Sequence, residues 1–361
     1  MLSIISILIV YITIINVIVF LALFLKRLNQ KTSINSKDNF ISVVIPFRNE
    51  NNNLETLIKV LKNQNYPPDK FEVILVDDYS EDDSFNLTKR LTSDQSNFKV
   101  IKNRYNPGKK NALQTGIEEA QFDILLFTDA DCIPKPDWIK SISNQFDDNT
   151  DIVYGYSPFL AEKSFINYLC RYENLFTSTL MTAFDNSGYP YMSFGRNLSY
   201  RKSLFERVQG FQKIQKSLSG DDDLFFQLAI KNNARVKLNY DPESVVFTRC
   251  ESYVYKYFNQ KSRHISASKF YPIELKIVLG LIYGGNILLQ FFIPVAFLSL
   301  DPFLLSLIFF NWIIKVLTIQ KICSFIKISY PYYLIPVIDF VYNLMLIVAG
   351  IRSRFKIVHW K

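Results

Sequence analysis

Residues 4–25, IISILIVYITIINVIVFLALFL, contain no charged side chain. At about 1.5 Å per residue the run is long enough to cross a hydrocarbon core of about 30 Å. A cleaved signal peptide would need a basic start, a shorter apolar stretch and a small-residue cleavage site, and the sequence has none of these. The run is therefore expected to remain as an anchor. Lys26, Arg27, Lys31 and Lys37 follow it, so by the positive-inside rule the next domain is expected in the cytosol.

Apolar runs return at 277–300, 302–319 and 332–351, broken at Asp301-Pro302 and between Lys321 and Pro331. Three crossings would place Arg352, Arg354 and Lys356 outside, against the charge rule, whereas two would keep them cytoplasmic. The middle run is short and contains Lys315, so it is the one expected to lie in the interface. The chain has 41 Lys and Arg against 33 Asp and Glu. That excess suits nucleic acid, an anionic membrane or phosphorylated small molecules, and the membrane segments explain part of it, leaving nothing specific for nucleic acid. Cys132, Cys170, Cys250 and Cys323 lack ligand or disulfide spacing, which fits a reducing compartment and no zinc site.

Between Ser42 and Arg249 strands and helices alternate. The run 41–47 reads as a buried strand, and Leu54, Leu57, Ile58 and Leu61 give a helix within 50–64. Strand 72–76 and a helix from Ser80 to Leu91 repeat the unit, with Ser80-Glu81-Asp82-Asp83 as a capping-box start. A strand at 98–101, a helix over 110–120 and a strand at 122–128 follow. The expected fold is α/β, with a mostly parallel, doubly covered sheet.

Ligands in such sheets bind beyond the carboxyl ends of the strands. Here those ends read Arg48-Asn49-Glu50, Asp77-Asp78 and Asp129-Ala130-Asp131. Five carboxylates facing one crevice repel unless a cation or hydrogen-bond donors join them. Mg²⁺ or Mn²⁺ takes oxygen ligands, commonly one or two carboxylates plus substrate phosphates, so Asp129 and Asp131 are candidate ligands of a site completed by substrate. Capping of a loop is the competing reading of the pair. Lys109 and Lys110 open a helix behind a Pro-Gly turn, where a diphosphate would be favoured; a solvated basic face is the alternative.

The motifs ISVVIPFRNE, VILVDDYSEDDS, GKKNAL, LLFTDADC, FGRNLSYRKSLFERVQGF and SGDDDLF, in this order, resemble the family 2 glycosyltransferases of GT-A fold across about residues 41–264. The resemblance implies a nucleotide-diphosphate sugar donor, UDP-linked by expectation, and a divalent metal. Pro46, Glu50, Asp77, Asp78, Lys109 and Lys110 would line the donor site. Asp129 and Asp131 would be the DxD pair, with Asp131 the direct metal ligand. Gly195, Arg196 and Asn197 would floor the sugar and acceptor pocket. Asp222 is the preferred general base, and the third acid, Asp223, leaves Asp221 in competition.

Gln260-Lys261-Ser262-Arg263-His264 is similar to the QxxRW motif of membrane-embedded members such as cellulose and hyaluronan synthases. Arg263 would reach the donor diphosphate, and Gln260 and His264 would border the acceptor. His264 replaces Trp, which removes an aromatic platform and speaks against processive polymerisation. The motif lies just before the apolar runs, favouring a lipid, lipid-linked or glycan acceptor. The aromatic-rich segment 154–194 reads either as a specificity surface or as packing.

The expected layout is an anchor at 1–27, a GT-A domain at 38–250, an interfacial segment at 251–275, membrane or interfacial helices at 276–353 and a basic tail at 354–361. A dehydrogenase or P-loop reading fails because neither glycine fingerprint is present. A DxD phosphatase would carry its pair after the first strand, not about the fourth. An inactive scaffold of the same fold is the non-enzyme alternative.

Overall fold

The computed structural model describes residues 2–24, 38–215, 217, 220–251 and 253–355. The flank Lys26, Arg27, Lys31 and Lys37, Ser219 of SGDDDLF, and the tail from Lys356 onward lie outside these residues. The elements begin with α1 (Leu2–Ala22), β1 (Ile41–Phe47), α2 (Leu54–Lys62), β2 (Phe71–Asp77), α3 (Ser84–Thr92), β3 (Phe98–Lys102) and α4 (Lys109–Glu119). Next come β4 (Ile124–Phe127), β5 (Cys132–Pro134), α5 (Trp138–Ser143), β6 (Ile152–Tyr154), α6 (Phe165–Asn186), β7 (Leu198–Arg201) and α7 (Lys202–Arg207). The chain continues through α8 (Asp223–Lys231), β8 (Val236–Leu238), β9 (Val246–Thr248), α9 (Val254–Ala267), α10 (Ile273–Ser299), α11 (Pro302–Ile326) and α12 (Ile335–Phe355).

Two compact units divide the chain. One takes the described residues of Lys31–Leu160 and Tyr191–Cys250; the other takes those of Met1–Gln30, Ala161–Pro190 and Glu251–Val358.

The first unit is built on a sheet ordered β3-β2-β1-β4-β7-β6-β8. β1 pairs in parallel with β2 and β4, and β2 with β3, whereas β7 runs antiparallel to β4 and β6. β1 and β2 are buried along their whole length, as strands covered on both faces must be. On one face Val43 and Ile45 pack with Leu54, Leu57, Ile58 and Leu61 of α2. On the other, α4 comes so close that a Cβ at Gly116 would lie 2.4 Å from Val44 Cγ1. Glycine there lets α4 seat on the sheet and fixes where its first residue, Lys109, is presented.

One local expectation differs. The Ser80 capping box does not start a helix; α3 begins at Ser84 behind Asp83. Ser80 Oγ instead accepts from the Asn49 backbone N–H at 3.0 Å, and the Ser80 N–H donates to Asp77 Oδ1 at 3.2 Å, so the acids after β2 organise a loop first.

Among its described residues the second unit holds four helices long and apolar enough to cross a membrane, spanning Ser3–Ala22, Ile273–Ser299, Pro302–Ile326 and Tyr332–Arg352. The chain is thus a multi-pass membrane protein. Ile5, Ile9 and Ile12 pack with Leu289, Ala296, Leu304 and Ile308. Asn311 ties α11 to α1, donating to Thr13 Oγ1 at 2.6 Å and accepting from Asn16 Nδ2 at 2.9 Å. The middle C-terminal run is corrected here: it does not stop at 319 but forms the 25-residue helix α11. Its Lys315 is paired, with Asp339 Oδ2 2.6 Å from the ammonium and both side chains buried.

Candidate active site

The acids after β2 are absorbed locally. Asp78 is fully buried and accepts from Asn103 Nδ2 at 2.7 Å and from the Gly108 N–H at 2.8 Å. Burial raises its carboxyl above the ordinary range, against those hydrogen bonds. Asp78 therefore holds the turn that launches α4. Pro46 sits within β1 opposite Val76, and Glu50 Oε2 accepts from Asn53 Nδ2 at 2.6 Å.

The two lysines diverge. Lys110 donates to the carbonyls of Ile214 at 2.7 Å and Ser217 at 2.6 Å, fastening the segment ahead of the Asp221–Asp223 run. Lys109 reaches into the cluster, 2.9 Å from Asp129 Oδ1 and 2.9 Å from Asp221 Oδ2. The lysine and Asp221 are mutually fitted. Lys109 stays protonated because Asp129, Asp221 and Asp222 outweigh its burial, and Asp221 is held below the ordinary range, chiefly by Lys109 against its own burial.

Asp222 is in the opposite state. Burial first, then Asp221 and Asp223, push its carboxyl up to about 7. Its Oδ1 accepts from the Asp223 N–H at 2.8 Å and its Oδ2 from the Gly195 N–H at 3.1 Å. A Cβ on Gly195 would lie 3.0 Å from Asp222 Cβ, so the turn leaves no room for a side chain there.

Asn197 is committed to structure. Its side chain donates to the carbonyls of Tyr156 and Ser244, both at 2.8 Å, and accepts from Trp138 Nε1 at 3.0 Å. Arg196 is held by Ser157 through Nε at 2.6 Å and lies over the ring of Phe159. Gln260, Arg263 and His264 lie on α9 in the other unit, with Arg263 Nε buried and without a hydrogen-bond partner among the described residues.

A recess of about 10 Å³ is lined by Lys109, Thr128, Asp129, Gly195, Tyr200 and Asp221 among others. Thr128 Oγ1 is buried there without a hydrogen-bond partner among the described residues. Sequence reading passed over Thr128 and Tyr200. The signal for Thr128 was its place between the last strand residue and the acidic pair; Tyr200 had none.

The donor atoms of Asp129, Asp131 and Cys132 lie within 4.8 Å of one another. Burial, then Asp131 and Asp129, keep the thiol pKa well above its usual value, and Cys132 Sγ lies 3.6 Å from Asp131 Oδ1, as a donor to it. The carboxylates are thus the ligands on offer, and such oxygen donors fit Mg²⁺ or Mn²⁺.

Comparison with known proteins gives a family likeness and a fold likeness. Residues 42–208 match the model of Glycosyl transferase family 2. The chain is 31% identical over 121 residues, 33% of its length, to Glycosyltransferase AglE of Haloferax volcanii. It is 34% identical over 117 residues, 32% of its length, to the undecaprenyl-phosphate 4-deoxy-4-formamido-L-arabinose transferase of Pseudomonas syringae pv. syringae. These matches span 40% and 34% of the relatives' own lengths, less than half of either protein. The fold is similar to that of the mannosyltransferase PcManGT from Pyrobaculum calidifontis, solved with GDP-Man and Mn²⁺, at a TM-score of 0.57 and 18% identity over 96% of this chain and 99% of that one.

Proposed function

On the match of residues 42–208 to the model of Glycosyl transferase family 2, we propose that this chain is a glycosyltransferase of that family and transfers a sugar, with inversion, from a nucleotide-diphosphate donor to the hydroxyl of a lipid, lipid-linked or glycan acceptor. The observation that carries the reading is the division of labour in the acidic run. Lys109 keeps Asp221 ionised, while Asp222, raised to about 7, is poised to take up a proton near neutrality.

In this reading the acceptor oxygen attacks the anomeric carbon as the bond to the diphosphate breaks, and the acceptor proton passes to the Asp222 carboxylate. One displacement inverts the configuration without a covalent intermediate. The Gly195 N–H and the Asp223 N–H hold the carboxylate still for that transfer. Lys109, at the N-terminus of α4 and bonded to Asp129 and Asp221, would meet the donor diphosphate, aided by the helix's amides. Asp129 and Asp131 would hold Mn²⁺ or Mg²⁺, which supplies Lewis-acid stabilisation of leaving-group charge when bound. Asp78 and Lys110 act by positioning, the first through the Gly108 turn and the second through the 214–217 carbonyls.

Two likenesses support donor and acceptor class: PcManGT is a structure with GDP-Man and Mn²⁺, and the Pseudomonas relative is named for undecaprenyl phosphate. The catalytic segment is assigned to the cytosolic face, where nucleotide sugars are made. The test incubates detergent-solubilised protein with Mn²⁺, a panel of UDP- and GDP-linked sugars, and undecaprenyl phosphate or glycan acceptors. Nucleoside diphosphate release from one donor, lost in Asp131→Ala and Asp222→Asn, is the expected result. Absence of both release and donor binding across the panel would return the chain to an inactive scaffold.

A further inference from the structure

α12 has the length and apolarity of a span, yet its neighbours do not fit a crossing. The helices α6 and α9 are joined to each other, since Glu173 of α6 accepts from the Tyr257 hydroxyl and pairs with Lys261 of α9. Both are too polar for hydrocarbon: α9 carries Lys256, Lys261, Arg263 and His264, and α6 buries Arg171, Glu173, Asn174 and Asp185. Between 38 and 267 no described helix qualifies as a span, so α6 and α9 form one layer on a single side of the bilayer.

α12 meets this layer twice. Near its start, Asp339 Oδ1 accepts from the Tyr172 hydroxyl of α6 at 2.6 Å, and the Tyr342 ring lies 5.7 Å from that of Tyr172. Near its end, Arg352 Nη2 donates to Asn259 Oδ1 of α9 at 2.7 Å. At 1.5 Å per residue, about 20 Å of helix separates Asp339 from Arg352. A helix standing across the membrane would carry one of these contacts far from the layer; a helix lying along the layer makes both.

The bundle beside it has a consistent direction. A Cβ on Gly285 of α10 would meet Ile12 of α1 at 3.4 Å, Asn311 of α11 bonds Thr13, and Lys321 lies 4.6 Å over the Phe24 ring. α1 and α11 therefore run the same way, and a tight turn at Leu300-Asp301 brings α11 back beside α10. Both α11's end and α10's start fall on the side of α9.

We propose that α12 is an in-plane helix of the membrane interface, so that α1, α10 and α11 cross the bilayer while the basic C-terminal end stays on the side of α9. Its partner is the boundary between headgroups and acyl chains. The exposed positions Val337, Phe340, Leu344, Val348 and Ile351 recur at helical spacing on one wholly apolar face that acyl chains can cover, and Arg352 with Arg354 follows at headgroup level. This arrangement also removes the charge conflict that three C-terminal crossings would create.

The test compares two cysteines in the full-length protein, one added after Lys361 and one at the exposed position Ser93 (Ser93→Cys) as the reference for the catalytic side. The four native cysteines are buried, which limits background. A membrane-impermeant maleimide is applied to intact cells and to permeabilised cells, with labelling in SDS as the full-reaction reference. The expected result is that both sites react under the same condition. Reaction of one in intact cells and of the other only after permeabilisation overturns the proposal. Because the sites are compared with each other, the outcome is independent of donor chemistry and of absolute orientation.

Discussion

The Lys109 ammonium lies 2.9 Å from the Asp221 carboxylate, joining the first residue of α4 to the acidic run that precedes α8. The same nitrogen holds Asp129 at 2.9 Å. Removing it would leave two carboxylates in a poorly solvated cluster, so Lys109→Met is expected to destabilise the protein by about 2 kcal/mol, below the range for a fully buried pair because the lysine is part exposed. A divalent cation would then relieve the repulsion. Thermal melts should show Mn²⁺ raising the Tm of the variant more than that of the wild type; equal shifts would sever the cluster from metal binding.

Asp222→Asn keeps the size and one of the two backbone N–H acceptors, sets an amide NH₂ against the other N–H, and removes the proton acceptor. We expect kcat to fall by about 10²–10⁴-fold, with donor affinity, read by nucleotide titration, changed little. A loss confined to donor binding would move the base assignment to Asp221.

The pH profile follows from the raised Asp222 carboxyl. The folded protein holds this proton up to about pH 7 against an ordinary value of 3.8. Between those values the native state binds more protons at this group than the unfolded chain, so its contribution to stability declines as pH rises. Activity runs the other way, because the ionised form is the base. The acidic limb of kcat/KM should have its midpoint near pH 7 and should be missing from the residual activity of Asp222→Asn.

Gly195→Ala tests the close approach directly. The new Cβ would sit 3.0 Å from Asp222 Cβ and 3.1 Å from its Oδ2. Displacing the carboxylate by a few tenths of an ångström is expected to lower kcat about tenfold, since small misplacements near the reacting atoms are costly. The Tm should move by only a few degrees. An unchanged kcat would show that Asp222 need not be held there.

In the membrane unit, Lys315→Met is expected to cost about 3–5 kcal/mol by leaving the Asp339 carboxylate buried without its counter-charge, whereas Lys315→Met with Asp339→Asn, which removes the charge and keeps an acceptor for the Tyr172 hydroxyl, should recover most of the loss. Chemical denaturation in detergent micelles would separate the two outcomes. Equal stability of single and double variants would show that the pair carries no such energy.

The amino-acid sequence by itself determined the α/β order, the buried parallel strands and the acidic strand ends, because periodicity and strand-terminal chemistry are local properties. It marked Asp129, Asp131, Asp221 and Asp222 as the chemistry-bearing acids. It did not separate Lys109 from Lys110, whose neighbouring positions on α4 aim one at Asp129 and Asp221 and the other at the Ile214 and Ser217 carbonyls. Asp78 looked like Asp77 in sequence, yet only the fold delivers Asn103 and Gly108 to it. Lys315 stands in its apolar run as a lone charge in the sequence, and only the fold brings Asp339, from the next helix, against it. In each case the deciding term is a charge or hydrogen bond between residues distant in sequence, whose strength depends on separation and burial, and those are set only when the chain has packed.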